Sequence, residues 1–189
     1  ISIRDGNTGN MIYNNTTYNT GTTSGNGIDI QGNNTGTIVK NNIAHTGATS
    51  ALNIDAGSSD TISDYNLLYS PTGIVGKWSG STHSSLEAYK TASGQDAHSI
   101  SADPLFTNAA GGDFSLRASS PAIDMGTLIT AVTEDKDGNT RPLQCSYDIG
   151  YYEVPGACVP TPTPTSGTHS HNSSSDAPMS STSPRECTN

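Results

Sequence analysis

Asp29, Asp55 and Lys77 are the side chains in this sequence whose types and spacing best suit chemistry. Asp29 lies between Ile28 and Ile30, and a strand turns alternating residues to opposite faces, so its carboxylate points away from the apolar face. If Asp55 lies two residues along the neighbouring strand, ideal strand spacings separate the two carboxylates by ~8 Å. That separation suits a general acid and a general base acting on the two sides of a glycosidic bond, as in inverting hydrolysis.

Proton abstraction is the second chemistry that these residues allow. A calcium ion held by Asp29 and Asp55 would neutralise a uronate carboxylate and acidify the proton on the adjacent carbon. Lys77 or Arg4 would then remove that proton, provided that the pKa of the base is lowered. The simpler interpretation is structural, with Asp55 and Lys77 forming a surface ion pair that contributes only ~0–1 kcal/mol. The sequence leaves these alternatives open.

The same alternation extends to two columns of outward-facing residues on successive strands. The columns are Ser2, Asp29, Asn53 and Val75, and Arg4, Gln31, Asp55 and Lys77, with Trp78 at the edge. Together they predict a strip along which a sugar chain could run, with substrate contacts from four side chains. These are Arg4, Gln31, Asn53 and Trp78. The alternative for Trp78, which we favour, is packing under a following helix, because an indole ring carries a large apolar surface.

An internal repeat predicts the strands that position these columns. Offsets of 27, 24 and 22 residues align apolar positions and one asparagine between successive units. The aligned sets are Ile1/Ile28/Leu52/Ile74, Ile3/Ile30/Ile54 and Asn15/Asn42/Asn66. Units of this length with short apolar strands suit coils that stack ~4.8 Å apart. A β-sandwich accounts for short strands but not for the aligned asparagines, so we predict an all-β, right-handed parallel β-helix of about four to six coils.

Three segments are expected along the chain. Residues 1–78 form the β-helix coils, and residues 79–153 form the last coils, a short helix and a C-terminal cap over the open end. The capping-box spacing of Ser84 and Glu87, followed by Gly94, predicts that helix over Leu86–Ser93. Residues 154–189 are rich in Pro, Thr and Ser and are expected to form a disordered linker or tail.

Composition and charge limit the partners of the protein. The formal net charge is −9, which disfavours nucleic acid and anionic membranes because both require a basic face. No apolar run reaches the ~18–20 residues of a membrane span. Of the three cysteines, Cys145 and Cys158 flank the end of the predicted fold. They would form a disulfide in an oxidising compartment, and the alternative is that all three thiols stay free.

Motifs in the second half of the chain resemble those of a known family. They are Ser85-Leu86-Glu87-Ala88-Tyr89, Gly94-Gln95-Asp96-Ala97-His98-Ser99, Asp103-Pro104-Leu105-Phe106, Gly112-Asp113-Phe114, Ser120-Pro121-Ala122-Ile123-Asp124, Asp137-Gly138-Asn139, Arg141-Pro142 and Asp148-Ile149-Gly150. Together with the repeats, they resemble the C-terminal part of exported bacterial right-handed parallel β-helix proteins of the pectin-lyase-like superfamily. The resemblance spans about residues 1–153.

The resemblance implies a secreted or cell-surface protein that acts on, or lies among, extracellular polysaccharides. Because Ile1 begins within an apolar alternation, we expect a C-terminal fragment of a polysaccharide lyase-like protein, acting as a monomer. Catalytic motifs of better-known relatives, such as Asn-Thr-Asp and Arg-Ile-Lys, are absent from this sequence. The alternative is therefore a non-catalytic glycan-binding or adhesive stalk, since this fold carries several functions.

Overall fold

The computed structural model describes residues 1–20, 25–71 and 73–156, which fold mainly into short β-strands. In chain order the strands are β1 (Ser2–Ile3), β2 (Met11–Tyr13), β3 (Thr16–Asn19), β4 (Ile28–Ile30), β5 (Ile38–Lys40), β6 (Ile43–Thr46), β7 (Leu52–Ile54), β8 (Ile62–Asp64), β9 (Leu67–Tyr69), β10 (Gly76–Trp78), β11 (Ser81–His83), β12 (Phe106–Asn108) and β13 (Asp113–Leu116). Helix α1 (Leu86–Ser93) and a 3-10 helix (Ala109–Gly111) complete the described elements.

Three sheets run along a solenoid. Sheet A has the strand order β1-β4-β7-β10-β11, sheet B the order β2-β5-β8 and sheet C the order β3-β6-β9. All neighbours within these sheets are parallel except β10 and β11. Three coils are complete in the described residues, and β10 together with Ile100, which bridges to Leu67, forms an incomplete fourth. Because each strand pairs with the third strand after it, the predicted parallel β-helix is confirmed. The described residues form about three coils, fewer than the four to six predicted, because the chain after Ile100 leaves the stack.

Aliphatic side chains stacked in columns fill the interior. In sheet A, Ile28 pairs with Leu52 and Ile30 pairs with Ile54, and all four are fully buried. Sheets B and C add four more buried residues to the same cluster. They are Ile12, Val39, Ala44 and Leu68. Full burial of one large aliphatic side chain contributes about 1.5–3 kcal/mol. A narrow interior needs few such residues, so a chain with 31% hydrophobic residues can fill it.

An asparagine ladder joins the coils at the corner between sheets B and C. Asn42 Oδ1 accepts hydrogen bonds from Asn15 N at 2.9 Å and from Asn15 Nδ2 at 3.1 Å. Asn66 Oδ1 accepts the same pair from Asn42 at 3.0 and 3.1 Å. Asn42 and Asn66 are fully buried, where an unpaired amide would be costly. The aligned asparagine column predicted from the repeat is confirmed.

Ser99 and Asp96 end the ladder on its C-terminal side. Ser99 Oγ accepts the hydrogen bond of Asn66 N at 2.8 Å and donates to Asp96 Oδ1 at 2.5 Å. The same carboxylate oxygen accepts Asn66 Nδ2 at 3.2 Å. Burial raises the pKa of Asp96, against the effect of these hydrogen bonds. From Asn15 to Asp96, the donor of each of these ladder hydrogen bonds therefore lies on the same side of its acceptor along the chain of bonds.

Helix α1 closes the C-terminal end of the interior. Its predicted bounds are confirmed, with Gly94 in the left-handed conformation at its C-terminus. The N-cap is Ser85, whose hydroxyl accepts the hydrogen bond of Ala88 N at 3.2 Å. Tyr89, on the inner side of the helix, is fully buried in the same cluster as the interior isoleucines. The helix thus supplies a large apolar side chain where the coils stop.

Tyr89 also explains an error in the predicted register. Leu52 pairs with Gly76, whereas the repeat had aligned it with Ile74. A Cβ atom on Gly76 would collide with the ring of Tyr89, so glycine is required at this interior position. The prediction was wrong by two residues because the apolar side chain at this level comes from the helix and not from the strand.

Residues 104–156 lie along the outer face of sheet C. Strands β12 and β13 form an antiparallel hairpin there, and a second apolar cluster joins this segment to the sheet. Its buried members are Ile43, Leu67, Phe106, Leu116, Ala122 and Ile149. Gly150 N donates to Asn41 O at 2.7 Å, and Asn14 Nδ2 donates to Asp148 O at 3.3 Å. The segment therefore covers the side of the first coils, while α1 covers the end.

A stacked aromatic column lies between sheet C and this segment. Tyr18, His45 and Tyr69 are register neighbours, with ring centroids 4.7 and 5.2 Å apart. The ring of Phe106 lies 6.0 Å from that of Tyr18. Burial lowers the pKa of His45, and the negative charge of Asp103 acts in the opposite direction. The neutral imidazole is therefore the form that packs in this column.

The C-terminal segment contains a buried ion pair between Arg141 and Glu153. Their side chains are each 1% exposed, and Arg141 Nη1 lies 2.6 Å from Glu153 Oε1. Arg141 also donates to the backbone carbonyls of Asp148 and Gly150. Burial raises the pKa of the Asp148 carboxyl to about 6, against the effect of hydrogen bonds from two backbone N–H groups. Loss of either partner of the ion pair would leave an uncompensated buried charge.

One cysteine, Cys145, lies within the described residues. Cys145 is disulfide-bonded. Its predicted partner, Cys158, lies outside the described residues, as do residues 157–189 of the disordered tail predicted over residues 154–189. Within the described ranges, α1 and the 3-10 helix are both too short to cross a membrane.

The ladder gives a graded prediction about stability. Asn42→Ala should lower the free energy of unfolding by about 3 kcal/mol, because it removes the acceptor of Asn15 N and Nδ2 and the amide that donates to the carbonyls of Ile12 and Lys40. Asn15→Ala, at the end of the ladder, should cost less. Urea unfolding of both variants measures the difference, and equal losses would contradict the ladder as described.

The aromatic column predicts acid-dependent unfolding. Because the folded-state pKa of His45 is lowered, the unfolded chain binds the proton more tightly, so this stabilisation is lost as the pH falls below about 6.5. Asp148 acts with the opposite sign, since a raised pKa favours the folded state in acid. We expect His45→Phe to lose less stability than the wild type between about pH 7.5 and pH 5. Chemical denaturation of both proteins across this range provides the measurement, and an equal loss of stability in the two would contradict the role of His45.

Candidate functional site

The polar strip is the set of outward-facing residues on sheet A. It consists of Ser2, Arg4, Asp29, Gln31, Asn53, Asp55 and Lys77. Ser2, Asp29, Asn53 and Lys77 are register neighbours on successive strands. Val75, which the repeat placed in this column, is instead buried in the interior at 4% exposure. The two-residue register error thus brings Lys77 beside Asn53 and not beside Asp55.

Asp29 is held by four side-chain donors. Its Oδ1 accepts hydrogen bonds from Asn53 Nδ2 at 2.7 Å, Asn26 Nδ2 at 2.9 Å and Gln31 Nε2 at 3.1 Å. Its Oδ2 accepts a hydrogen bond from Arg4 Nη2 at 2.7 Å, and the Asp29 side chain is 10% exposed. Both carboxylate oxygens are therefore engaged within the protein. Asp29 serves as the centre of a hydrogen-bonded array.

Arg4 extends this array to the surface. Its Nη1 donates to Gln31 Oε1 at 2.7 Å and its Nε to Ser2 Oγ at 2.9 Å, while 53% of the side chain is exposed. A guanidinium stays protonated in proteins, so it does not serve as a general base. Of the two bases considered from the sequence, Lys77 is the one whose chemistry permits proton removal.

Asp55 lies at the other side of the strip and is partly exposed. Its Oδ2 accepts the hydrogen bond of Gly32 N at 2.8 Å, and its Oδ1 accepts that of Ser58 Oγ at 2.7 Å. Burial acts to raise the pKa of Asp55, but the hydrogen bonds from Ser58 and from backbone N–H groups hold it below its ordinary value. The carboxylate is therefore ionised at neutral pH, which suits a hydrogen-bond acceptor and not a proton donor.

Trp78 does not lie on the polar strip. It pairs with Ile54, whose side chain points inward, and it packs against the interior cluster. Its ring centroid is 6.4 Å from that of Tyr89, with the rings perpendicular. This placement agrees with the predicted packing under a helix. As an inward-facing residue, Trp78 offers no platform for a sugar on this face.

The strip offers no assembled metal centre. Among the described residues, no three His, Cys, Asp or Glu side chains are arranged to hold a metal ion. Asp29 and Asp55, predicted as calcium ligands, each use both oxygens for hydrogen bonds within the protein. Calcium takes six to eight oxygen ligands, so an ion there would compete with these donors for the carboxylate oxygens.

Asn26 and Ser58 were missed by the sequence analysis. Each lies three residues from the aspartate that it contacts, Asn26 before Asp29 and Ser58 after Asp55. Short polar side chains at such separations commonly form local hydrogen bonds, so this spacing was an available signal. These two residues help to fix the orientation of the carboxylates.

Comparisons with models of protein families, with curated proteins and with solved structures found no match to this chain. A β-helix alone does not identify an activity, so only the geometry of the site distinguishes the candidate functions.

The array around Asp29 predicts a structural role for that residue. Asp29→Ala should lower the free energy of unfolding by about 1–3 kcal/mol, since it removes the common acceptor of four donors. Asp137→Ala, at a carboxylate that is 54% exposed, should change it by less than about 0.5 kcal/mol. Thermal or urea unfolding provides the measurement. If Asp29→Ala were as stable as the control, the array would not hold the face together.

Proposed function

We propose that this chain belongs to an exported β-helix protein whose polar strip binds an extracellular polysaccharide without cleaving it. The observation that carries the proposal is the hydrogen-bonded array of Arg4, Asp29, Gln31 and Asn53. These side chains are already ordered by each other. A ligand that binds them therefore avoids most of the entropy cost of fixing flexible side chains.

The shape of the strip supports binding of an extended chain. Register neighbours on stacked coils recur every ~4.8 Å, so polar groups are repeated along the axis of the solenoid. Arg4 is exposed, and Gln31, Asp55 and Lys77 are partly exposed. The strip thus offers both hydrogen-bond donors and acceptors to the hydroxyl groups of a sugar chain.

The chemistry of the two carboxylates argues against hydrolysis. An inverting hydrolase requires one carboxylic acid that gives a proton to the leaving group, and its pKa must be raised. The pKa of Asp55 is lowered, and the Asp29 carboxylate is engaged by Arg4 and three amides. Neither residue is arranged as a proton donor.

A polysaccharide lyase-like activity is the second candidate. It is favoured by the presence of Lys77 on the same face as the ionised Asp55. It also requires a cation to neutralise a uronate carboxylate, and both predicted calcium ligands already make internal hydrogen bonds. Binding without cleavage accounts for the array and requires fewer of its hydrogen bonds to change.

Two features support export. Cys145 is disulfide-bonded, and structural disulfides persist mainly in oxidising compartments. The sequence Pro160-Thr161-Pro162-Thr163-Pro164-Thr165 is typical of the linkers that join modules of exported proteins. A secreted or cell-surface location is therefore part of the proposal.

Affinity electrophoresis of the full chain through gels containing pectate, alginate or neutral polysaccharides tests the binding. We expect retardation in at least one gel, and about tenfold weaker retardation for the Gln31→Ala/Lys77→Ala double variant, which removes exposed contacts. Arg117→Ala, at an exposed position on the β12–β13 side, serves as the control and should behave as the wild type.

The same polysaccharides, incubated with the protein with and without calcium, separate binding from cleavage. Unsaturated products that absorb in the ultraviolet would replace the proposal by the lyase-like alternative. A lack of retardation in every gel, or equal retardation of the double variant, would contradict a binding role for the polar strip.

A further inference from the structure

The outer face of sheet B differs from that of sheet A because one of its columns is apolar and exposed. Met11, Ile38 and Ile62 are register neighbours in β2, β5 and β8. Met11 is 66% exposed and Ile62 49% exposed. Leu128, from the C-terminal segment, is 67% exposed and lies on the same side. Large apolar side chains clustered on a surface commonly mark a binding site.

A groove runs between this face and the C-terminal segment. It is lined by Met11, Tyr13, Ile38, Lys40 and residues 128–131. Its volume of about 320 Å³ is near the lower end of the range for small-molecule sites. The groove is therefore suited to a ligand with one or two rings and not to a long chain.

The wall formed by residues 128–131 is anchored at both ends. Thr127 N donates to Asn41 Oδ1 at 2.9 Å, and Asn41 Nδ2 donates to Thr127 O at 2.7 Å. At the other end, Tyr147 OH contacts the carbonyls of Ile129 and Val132 at 3.3 and 3.1 Å. Asn41 is fully buried, so these contacts fix the wall to the β-helix. The groove is thus formed before a ligand arrives.

Lys40 places a positive charge in this largely apolar groove. Its register neighbour on β8 is Asp64, but that carboxylate contacts His98 Nδ1 at 2.8 Å and the backbone N–H groups of His98 and Tyr65. Lys40 is not a member of any ion pair among the described residues. A groove lined by a lysine, an aromatic residue and aliphatic side chains complements an anion that carries an apolar body.

We propose that this groove binds a small carboxylate with an apolar ring, whose carboxylate contacts Lys40 and whose ring packs against Tyr13, Ile38 and Leu128. A sugar is the poorer ligand here, since its hydroxyl groups would lose water against Met11, Ile38 and Leu128 without gaining partners. This site lies on a different sheet from the polar strip, and it does not depend on the proposed polysaccharide binding.

Titration of the full chain with benzoate, followed by ¹H–¹⁵N NMR, tests the proposal. We expect saturable shifts at Tyr13, Lys40 and residues 128–131. Benzyl alcohol, which has the ring without the charge, should bind about tenfold more weakly, and so should glucuronate, which has the charge on a polar ring. Lys40→Met keeps the aliphatic chain and removes the ammonium group, so it should reduce benzoate affinity to that of benzyl alcohol.

The controls separate this groove from general attraction of anions. Lys136→Met removes a lysine that is 51% exposed and paired with Asp137, and it should leave the benzoate affinity unchanged. Leu128→Ser should weaken both ring ligands while leaving the fold intact, because the side chain is exposed. Unchanged affinity in Lys40→Met, shifts confined to other parts of the chain, or glucuronate binding as tightly as benzoate would each overturn the proposal.

Discussion

Stacking of one coil on the next in a fixed register is the constraint on which the whole structure depends. Apolar columns alone would tolerate a slip, because one isoleucine packs on another in several positions. The asparagine ladder does not tolerate a slip, because Asn42 and Asn66 are fully buried. Each side-chain oxygen must accept the hydrogen bond of the asparagine in the preceding coil. A displacement of one residue would leave several buried polar groups unpaired. The ladder therefore fixes the register, and the register decides which side chains of sheet A face outward.

The sequence was sufficient for the parts of the fold that repeat or that are local. Asn15, Asn42 and Asn66 recur at the same position of each unit, and α1 has its capping residues within a few positions of its ends. It was insufficient where partners come from distant parts of the chain. Nothing near Gly76 indicates that the ring of Tyr89 occupies its interior position. Likewise, no local pattern indicates that residues 104–156 lie along sheet C.

The candidate site shows the same division. Alternation around Ile28 and Ile30 correctly predicted that Asp29 and Gln31 face outward, because strand geometry requires it. It did not predict how fully Asp29 is engaged, since that depends on the orientation of amides from three different positions. The predicted register of Lys77 was wrong because the ring of Tyr89 occupies the interior position at Gly76. Residue type alone suggested a reactive carboxylate, whereas its surroundings make it a structural acceptor.

The return of the C-terminal segment to the first coils changes how this solenoid can unfold. In an ordinary repeat protein each unit contacts only its neighbours, so the array can fray from one end. Here Asn14 in the first coil donates to the carbonyls of Asp148 and Gly150, which are 134 and 136 residues away in sequence. These contacts join the two ends of the described fold into one cooperative unit. They also mean that the coil containing Asn14 gains its full set of contacts only after the segment near residue 150 has been synthesised.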